Sequence, residues 1–404
     1  MQASVESSSQ GRVLGGILLV AGCCIGAGML GLPVLSAMAG FVPSVVMFFV
    51  SWLFMLCTGL LTLEVNLWFK DEVNIVSMAG RTLGNIGRAV AWVVFAFLFY
   101  SLLVAYVAGS GELFVDFFYD FTNLHLPAWA GSVICTFILA IMLYIGTLAV
   151  DRFNRLMMIG LIGTYLTLVM FGSKHIDLNL LSHRQWEMSF LALPAMIISF
   201  GFHNLIPSLT TYLKQDVKKL KLVIIIGSAL PLIIYILWEF LILGLVPIEG
   251  AGGFKEALDK GHMATQALRN VVGGSWIVTI AQYFAFFAIV TSFVGVALSF
   301  VDFLSDGLHI KKTFGGKILL CTLVLLPPTF FSIVYPNIFL AALNYAGGFG
   351  AVILFGILPA AMVWSGRYYK NLSQRPLVGG GKLTLVLVIL FSCMVIGLQL
   401  FQEL

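Results

Sequence analysis

GAGMLGLP, residues 26–33, places three glycines and a proline within eight residues of an apolar run that starts after Arg12. In a helix interior each Gly costs about 1 kcal/mol relative to Ala, and Pro about 3 kcal/mol. In hydrocarbon, the freed N–H and C=O groups must also find partners, so a broken membrane helix persists only where its backbone is buried in protein or lines a cavity. The stretch therefore predicts a helix interrupted inside a membrane. Taken alone it also reads as a Pro kink or a Gly packing face, both common between membrane helices.

Composition supports the membrane setting. The 404 residues are 60% hydrophobic and only 10% charged, whereas soluble domains carry about 25% charged residues. This predicts an all-α polytopic membrane protein surrounded by lipid, with no nucleic-acid partner. The head MQASVESSSQ is expected to be part of a cytoplasmic tail over 1–12 rather than a signal peptide, because no small-residue cleavage site closes a short apolar region. Cys23, Cys24, Cys57, Cys135, Cys321 and Cys393 show no CxxC or metal spacing. They read as small core hydrophobes, and no metal or cofactor is expected.

Runs long enough to cross about 30 Å of hydrocarbon fall near 13–39, 43–69, 87–111, 128–149, 153–172, 187–212, 219–246, 275–301, 316–334, 337–364 and 383–402, predicting eleven spans. With a cytoplasmic N-terminus, 17 of the 22 Lys and Arg residues lie on inner connections; only Lys174, Arg184, Lys255, Lys260 and Arg269 lie outside. That bias follows the positive-inside rule and predicts a C-terminus on the outer side. Residues 70–85 read as an inner amphipathic helix, and 254–270 as an outer helix over a mouth.

Secondary transporters often contain inverted repeats with interrupted helices at matching positions. The first ten spans divide into 13–172 and 187–364, leaving 383–402 as an additional helix. The first span of the second half carries SFGFHNLIPSL, residues 199–209. Spans 1 and 6 enter from opposite sides, so the two breaks occupy corresponding positions of an inverted five-plus-five pair. Breaking span 1 exposes N–H groups that suit a carboxylate. Carbonyls freed on span 6 suit an ammonium. Together they make an α-amino acid receptor that needs no buried charged side chain.

The segments AGCCIGAGMLGLP (21–33), LEV (63–65), AYVAGSGEL (105–113), DRFNR (151–155), SFGFHNLIPSL (199–209), IIGSALPLIIYILWE (225–239), TSFVGVALSFVDFLSD (291–306) and the Pro-Pro of 327–328 resemble, in order and spacing, the hydroxy and aromatic amino acid permeases, most closely bacterial tyrosine permeases. The resemblance implies the leucine-transporter-type fold of the amino acid–polyamine–organocation superfamily. It also implies ion-driven uptake of aromatic amino acids, tyrosine foremost, across a bacterial cytoplasmic membrane. Carried over by position, the carboxylate would lie on Gly26, Ala27 and Gly28, and the ammonium on carbonyls near Cys23, Cys24 and Ser199 to Gly201. Phe97, Tyr100 and Ser101 of span 3 and Phe200 and Phe202 of span 6 would wall the side-chain pocket. Ring contacts there add about 0.5–1.5 kcal/mol beyond area burial.

Intramembrane ionisable groups are functional candidates by default. His203 in the span 6 break reads as a proton carrier, as a partner for a phenol, or as a neutral ring bonded to freed backbone. Glu239 lies past the middle of span 7. Glu64 is expected to pair with a basic group near the interface, and Glu112, Asp151 and Asp302 read as interfacial or capping. For the coupling ion, the resemblance favours a proton. Yet Ala288, Thr291 and Ser292 have the A-x-x-T-S spacing that, in sodium-coupled members of this fold, meets carbonyls of the first helix, here Gly22 and Ile25. The span 5 lysine of several proton-coupled relatives has no counterpart in LMMIGLIGTYLTLVMFGS, residues 156–173. A membrane-embedded enzyme is disfavoured because HExxH and GxSxG are absent. A channel would normally assemble rings of like groups around an oligomer axis, and inverted breaks argue for alternating access instead.

Overall fold

A computed structural model describes residues 2–402 except 70, 72, 146, 273–275, 336 and 373–375; the side chains of 2–10, 128, 147–149, 151 and 272 are also outside the description. The described chain is all helical. In order, the helices are α1 (Gln2–Cys24), α2 (Gly28–Ser36), α3 (Phe41–Leu67), α4 (Ile75–Thr122), α5 (Ala128–Ile145), α6 (Thr147–Gly172), α7 (Leu193–Ser199), α8 (Ile206–Tyr212), α9 (Val217–Leu243), α10 (Phe254–Asp259), α11 (Ala264–Val272), α12 (Trp276–Gly307), α13 (Phe314–Val334), α14 (Phe339–Tyr345), α15 (Leu358–Tyr368) and α16 (Gly381–Gln402). A π-helical stretch, Ala346–Ile357, joins α14 to α15. Nine helical stretches among the described residues are long and apolar enough to cross a membrane, or ten when the bent pair α1–α2 counts as one. The expected span 128–149 is the shortfall from eleven: its described apolar helix is Trp129–Ile145, shorter than the others.

Three boundaries depart from the sequence reading. The helix α1 begins inside the expected tail. The inner helix of 70–85 runs directly into span 3 as α4, with a kink at Gly84 (φ 77°, ψ −161°), a conformation open to Gly because it lacks Cβ. The outer helix of 254–270 is two helices. Gly261 turns between them with φ 68°, and a Cβ there would stand 2.3 Å from Asn337 O.

Helix starts are fixed locally. Asn74 Oδ1 accepts from Ser77 N at 2.8 Å, Asp216 Oδ1 from Lys219 N at 3.2 Å, and Thr313 Oγ1 from Gly316 N at 3.4 Å, each satisfying a donor that the first turn leaves orphaned. Small residues let helices close up. Gly16 of α1 faces Val223, and Gly227 of α9 faces Val20. The α7–α8 stretch and the span through α14 and α15 are the most enclosed, at 67% and 78% buried, against 17% for Arg152–His175 and 28% for Gly381–Gln402. The α7–α8 stretch and the span through α14 and α15 thus sit at the centre, with α6 and α16 towards the rim.

Several charges outside the centre are paired. Arg269 on α11 meets Asp116 at 3.3 Å and Asp120 at 2.7 Å on the far end of α4, tying the outer hairpin to that helix. Glu64 pairs with a basic group, Arg367: its two oxygens accept from Nε and Nη2 at 2.7 Å each, and Leu377 N donates to it at 2.7 Å. Lys70 and Arg375 lie outside the described residues. Asp302 pairs with Lys312 on the surface at 2.6 Å, and the side chain of Asp151 is not described. Both carboxylate oxygens of Glu112 are buried.

Candidate functional site

GAGMLGLP does interrupt its helix. The axis of Gly11–Cys24 is bent 54° from that of Gly28–Ser36, and Cys24–Gly28 forms the corner. In the second stretch α7 stops at Ser199 and α8 starts at Ile206, with a short 3-10 turn at His203–Leu205 between them.

Both breaks face one cavity. Cys23, Cys24, Gly26, Ala27 and Gly28 line it from the first, and Ile198, Ser199, Gly201 and Asn204 from the second. Leu98, Phe99, Leu102 and Tyr106 of α4, Ser292 and Val296 of α12, Leu343 and Phe355 complete the wall. None of these lining residues is charged. Cys23 is exposed in this cavity, its Sγ 3.4 Å from Gly201 O and 3.9 Å from Asn204 Oδ1. The adjacent Cys24 is buried.

Three side chains on one face of α9 contact the broken helix, two at the corner and one at the far end of α2. The phenol of Tyr235 lies 2.5 Å from Cys24 O and 2.8 Å from Ser199 O, so its hydroxyl stands between the two breaks with a donor for either carbonyl. Trp238 Nε1 donates to Met29 O at 2.8 Å, and Glu239 Oε2 accepts from Ser36 Oγ at 2.9 Å. Spaced i, i+3, i+4, these residues share a helix face. They contact in turn the end of α1, the first turn of α2 and the last residue of α2. From the opposite side, Ala27 N donates to Ser292 Oγ at 3.0 Å. A Cβ on Gly26 would stand 2.2 Å from Ser292 Oγ, and one on Gly28 3.0 Å from Ser199 Oγ. The glycines are there because hydroxyls occupy the space.

The other predicted residues are placed differently. Phe97 points outward, 41% exposed. Tyr100 donates to Leu323 O at 2.9 Å and sets its ring edge-on to Phe300. These two and Ser101 are not in the cavity wall. Phe200 and Phe202 are fully buried behind it, Phe200 against the Tyr235 ring and Phe202 against Gly59. His203 is also buried, stacked on Phe355 at 4.6 Å and 12°, with Nε2 2.9 Å from Thr58 Oγ1. It supports the cavity wall through Phe355 instead of facing the cavity. Thr291 turns its hydroxyl back onto Phe287 O and Ala288 O of its own helix, and Ala288 is buried. Of the A-x-x-T-S set only Ser292 reaches the break. Gly22 faces Met158, and Ile25 N donates to Ala21 O.

The sequence from residue 9 to 399 matches the tryptophan/tyrosine permease family. The chain belongs to that family. It is 31% identical over 397 residues to the tyrosine-specific transport system 1 of Haemophilus influenzae, covering 95% of both chains. It is 30% identical to that organism's tryptophan-specific transport protein (96% and 95% covered) and 31% identical to the low affinity tryptophan permease of Escherichia coli K12 (94% and 93%). Membership makes this permease a multi-pass transport protein and not an enzyme. In it, sequence reasoning missed Phe99, Leu102, Tyr106 and Phe355 as wall residues, and Tyr235 and Trp238 as the clasp on the break. Ile86, Val90, Val93 and Phe97, spaced four, three and four residues apart, are all exposed in the structure, which puts the opposite face of α4 inward.

Proposed function

We propose that the permease imports aromatic amino acids, tyrosine foremost with tryptophan and phenylalanine as alternatives, by proton symport through alternating access. The setting is a bacterial cytoplasmic membrane with the N-terminus inside, the C-terminus outside, eleven spans and five-plus-five inverted repeats. The observation that carries the reading is the pair of helix breaks facing one uncharged cavity, bridged by Tyr235. The family relationship supports the substrate class.

In this reading the carboxylate rests on the N–H groups of Gly26 and Gly28, because Ala27 N–H already serves Ser292. The ammonium meets the carbonyls of Cys23 and Gly201, with Asn204 Oδ1 beside them. The ring lies among Phe99, Leu102, Tyr106 and Phe355, where offset or edge-on contacts are available. Few polar groups line that part, so charged side chains would enter without partners and be rejected.

Radiolabelled tyrosine uptake into proteoliposomes, with proton and sodium gradients imposed separately, tests this. An inward pH gradient alone should drive accumulation; tryptophan and phenylalanine should compete, and glutamate and lysine should not. Efficient competition by a charged amino acid would remove the pocket assignment. Sodium coupling has one observation behind it, the reach of Ser292 to the span 1 break. A strict sodium requirement would replace protons by that ion.

A further inference from the structure

Glu239 is fully buried in α9. One carboxylate oxygen, Oε2, accepts from Ser36 Oγ at 2.9 Å; Oε1 has no hydrogen-bond partner among the described residues. An ionised carboxylate so placed, with half its acceptors unmet, is far costlier than the neutral acid. Among the described residues no basic side chain is paired with it. On α9 itself the nearest titratable group is Tyr235, held by Cys24 O and Ser199 O. From α6, Tyr165 donates to Ile234 O, and from the outer connection His183 Nε2 is engaged by Met38 O. The helix α2 presents only Ser36. The helix α3 meets this end of α9 through Phe41 on Phe240 and carries Glu64 near its other end, 23 residues away, roughly 35 Å along the axis.

The position matters as much as the burial. Ser36 is the last residue of α2, the half-helix that follows the GAGMLGLP corner, and Tyr235 and Trp238 on the same α9 face hold the corner itself. Any motion that swings α2 away from α9 separates Ser36 from Glu239 and admits water to the carboxyl.

Resting on the proton-coupled reading above, we propose that Glu239 is the proton-binding site of the transport cycle. It takes a proton from water and keeps it while α2 is packed against α9. It returns the proton to water when that packing opens, with no co-reactant. The coupling is conformational: the charge state of Glu239 and the position of the half-helix that frames the cavity are two descriptions of one equilibrium, so each biases the other.

The test is Glu239→Gln, which keeps a carbonyl oxygen for Ser36 and removes the titration, in proteoliposomes beside wild type. Tyrosine counterflow should persist. Accumulation on an inward gradient of one pH unit should fall from a limit of about tenfold, for one coupled proton, to none. Undiminished pH-driven accumulation in Glu239→Gln overturns the assignment while leaving proton symport standing. Wild type that exchanges tyrosine but requires sodium overturns both. Should Glu239→Gln fail to insert, Ser36→Ala provides the second measurement: counterflow should persist with the pH profile of uptake displaced, and an unmoved profile overturns the assignment.

Discussion

Tyr235→Phe is the sharpest test of the idea that one hydroxyl holds the two breaks together. The ring stays, and with it the edge-on contact to Phe200 at 5.3 Å and the tilted contact to Phe48 at 5.9 Å. Only the hydroxyl between Cys24 O and Ser199 O is lost. Because a phenol has one proton, it satisfies one carbonyl at a time, so the loss is one hydrogen bond and not two. Leaving a buried acceptor unsatisfied costs about 1–3 kcal/mol, equivalent to a roughly 5- to 150-fold change in an equilibrium. If the corner is a substrate receptor, most of that cost should appear as weaker tyrosine binding, since Cys24 and Ser199 adjoin the Cys23 and Gly201 segments proposed to meet the ammonium and lose the hydroxyl that positions both breaks. Equilibrium binding of radiolabelled tyrosine to purified protein, with thermal stability measured in parallel, separates the two. Binding within about twofold of wild type, less than 0.5 kcal/mol, in a folded Tyr235→Phe protein would refute the argument.

Gly26→Val and Gly28→Val should abolish tyrosine binding without affecting membrane insertion, because their Cβ atoms would stand 2.2 Å from Ser292 Oγ and 3.0 Å from Ser199 Oγ; wild-type affinity in folded Gly28→Val would remove the carboxylate assignment. Ser292→Ala orphans Ala27 N–H at a cost of about 1–3 kcal/mol, whereas Thr291→Val loses only a bond to its own helix and should change uptake less than about threefold. Equal effects of the two in a transport assay would contradict the placement of the hydroxyls. Glu64→Gln or Arg367→Met leaves one charge of a buried pair behind, at about 3–5 kcal/mol; thermal unfolding in detergent should show a large loss that the double variant partly restores. His203→Gln, which keeps a hydrogen-bonding group for Thr58, should leave pH-driven accumulation in place, and its loss in a stable variant would return the proton to His203.

The breaks were legible because Gly and Pro are expensive inside membrane helices, so their clustering at 26–33 and around Gly201 and Pro207 could not be mistaken for ordinary lipid-facing sequence. Most of the long apolar helices were legible from hydropathy; the start of α1, the short helix in 128–149 and the turns at Gly84 and Gly261 were not, and these two glycines look like any other in the sequence until their positive φ is seen. The side-chain wall was harder. Aromatic residues are abundant here, and residue type alone does not say which face of α4 turns inward. At about 100° per residue, Phe97 lies some 180° from Tyr106, so an error of two positions exchanges the lipid face for the cavity.

The α9 clasp was hidden for a deeper reason. Tyr235, Trp238 and Glu239 sit in a long apolar helix, and nothing local marks them; their partners are remote in sequence, the carbonyls of Cys24 and Met29 and the hydroxyl of Ser36 more than 200 residues earlier and the carbonyl of Ser199 36 residues earlier. A broken membrane helix obliges some other element to supply hydrogen bonds at its corner. The search for that element can be made from sequence: a polar group must recur at helical spacing on one face of a neighbouring span. Tyr-x-x-Trp-Glu in span 7 meets that condition. The same reasoning assigns different work to its three members. Tyr235 and Trp238 spend their donors on carbonyls that are permanently short of partners, and so act as fixed struts. Glu239 meets only a serine hydroxyl, which has a backbone carbonyl, Pro33 O at 3.5 Å, as an alternative acceptor. Of the three contacts, the one to Glu239 is therefore the one the helix can release without stranding a backbone group, which is the property a moving proton site needs.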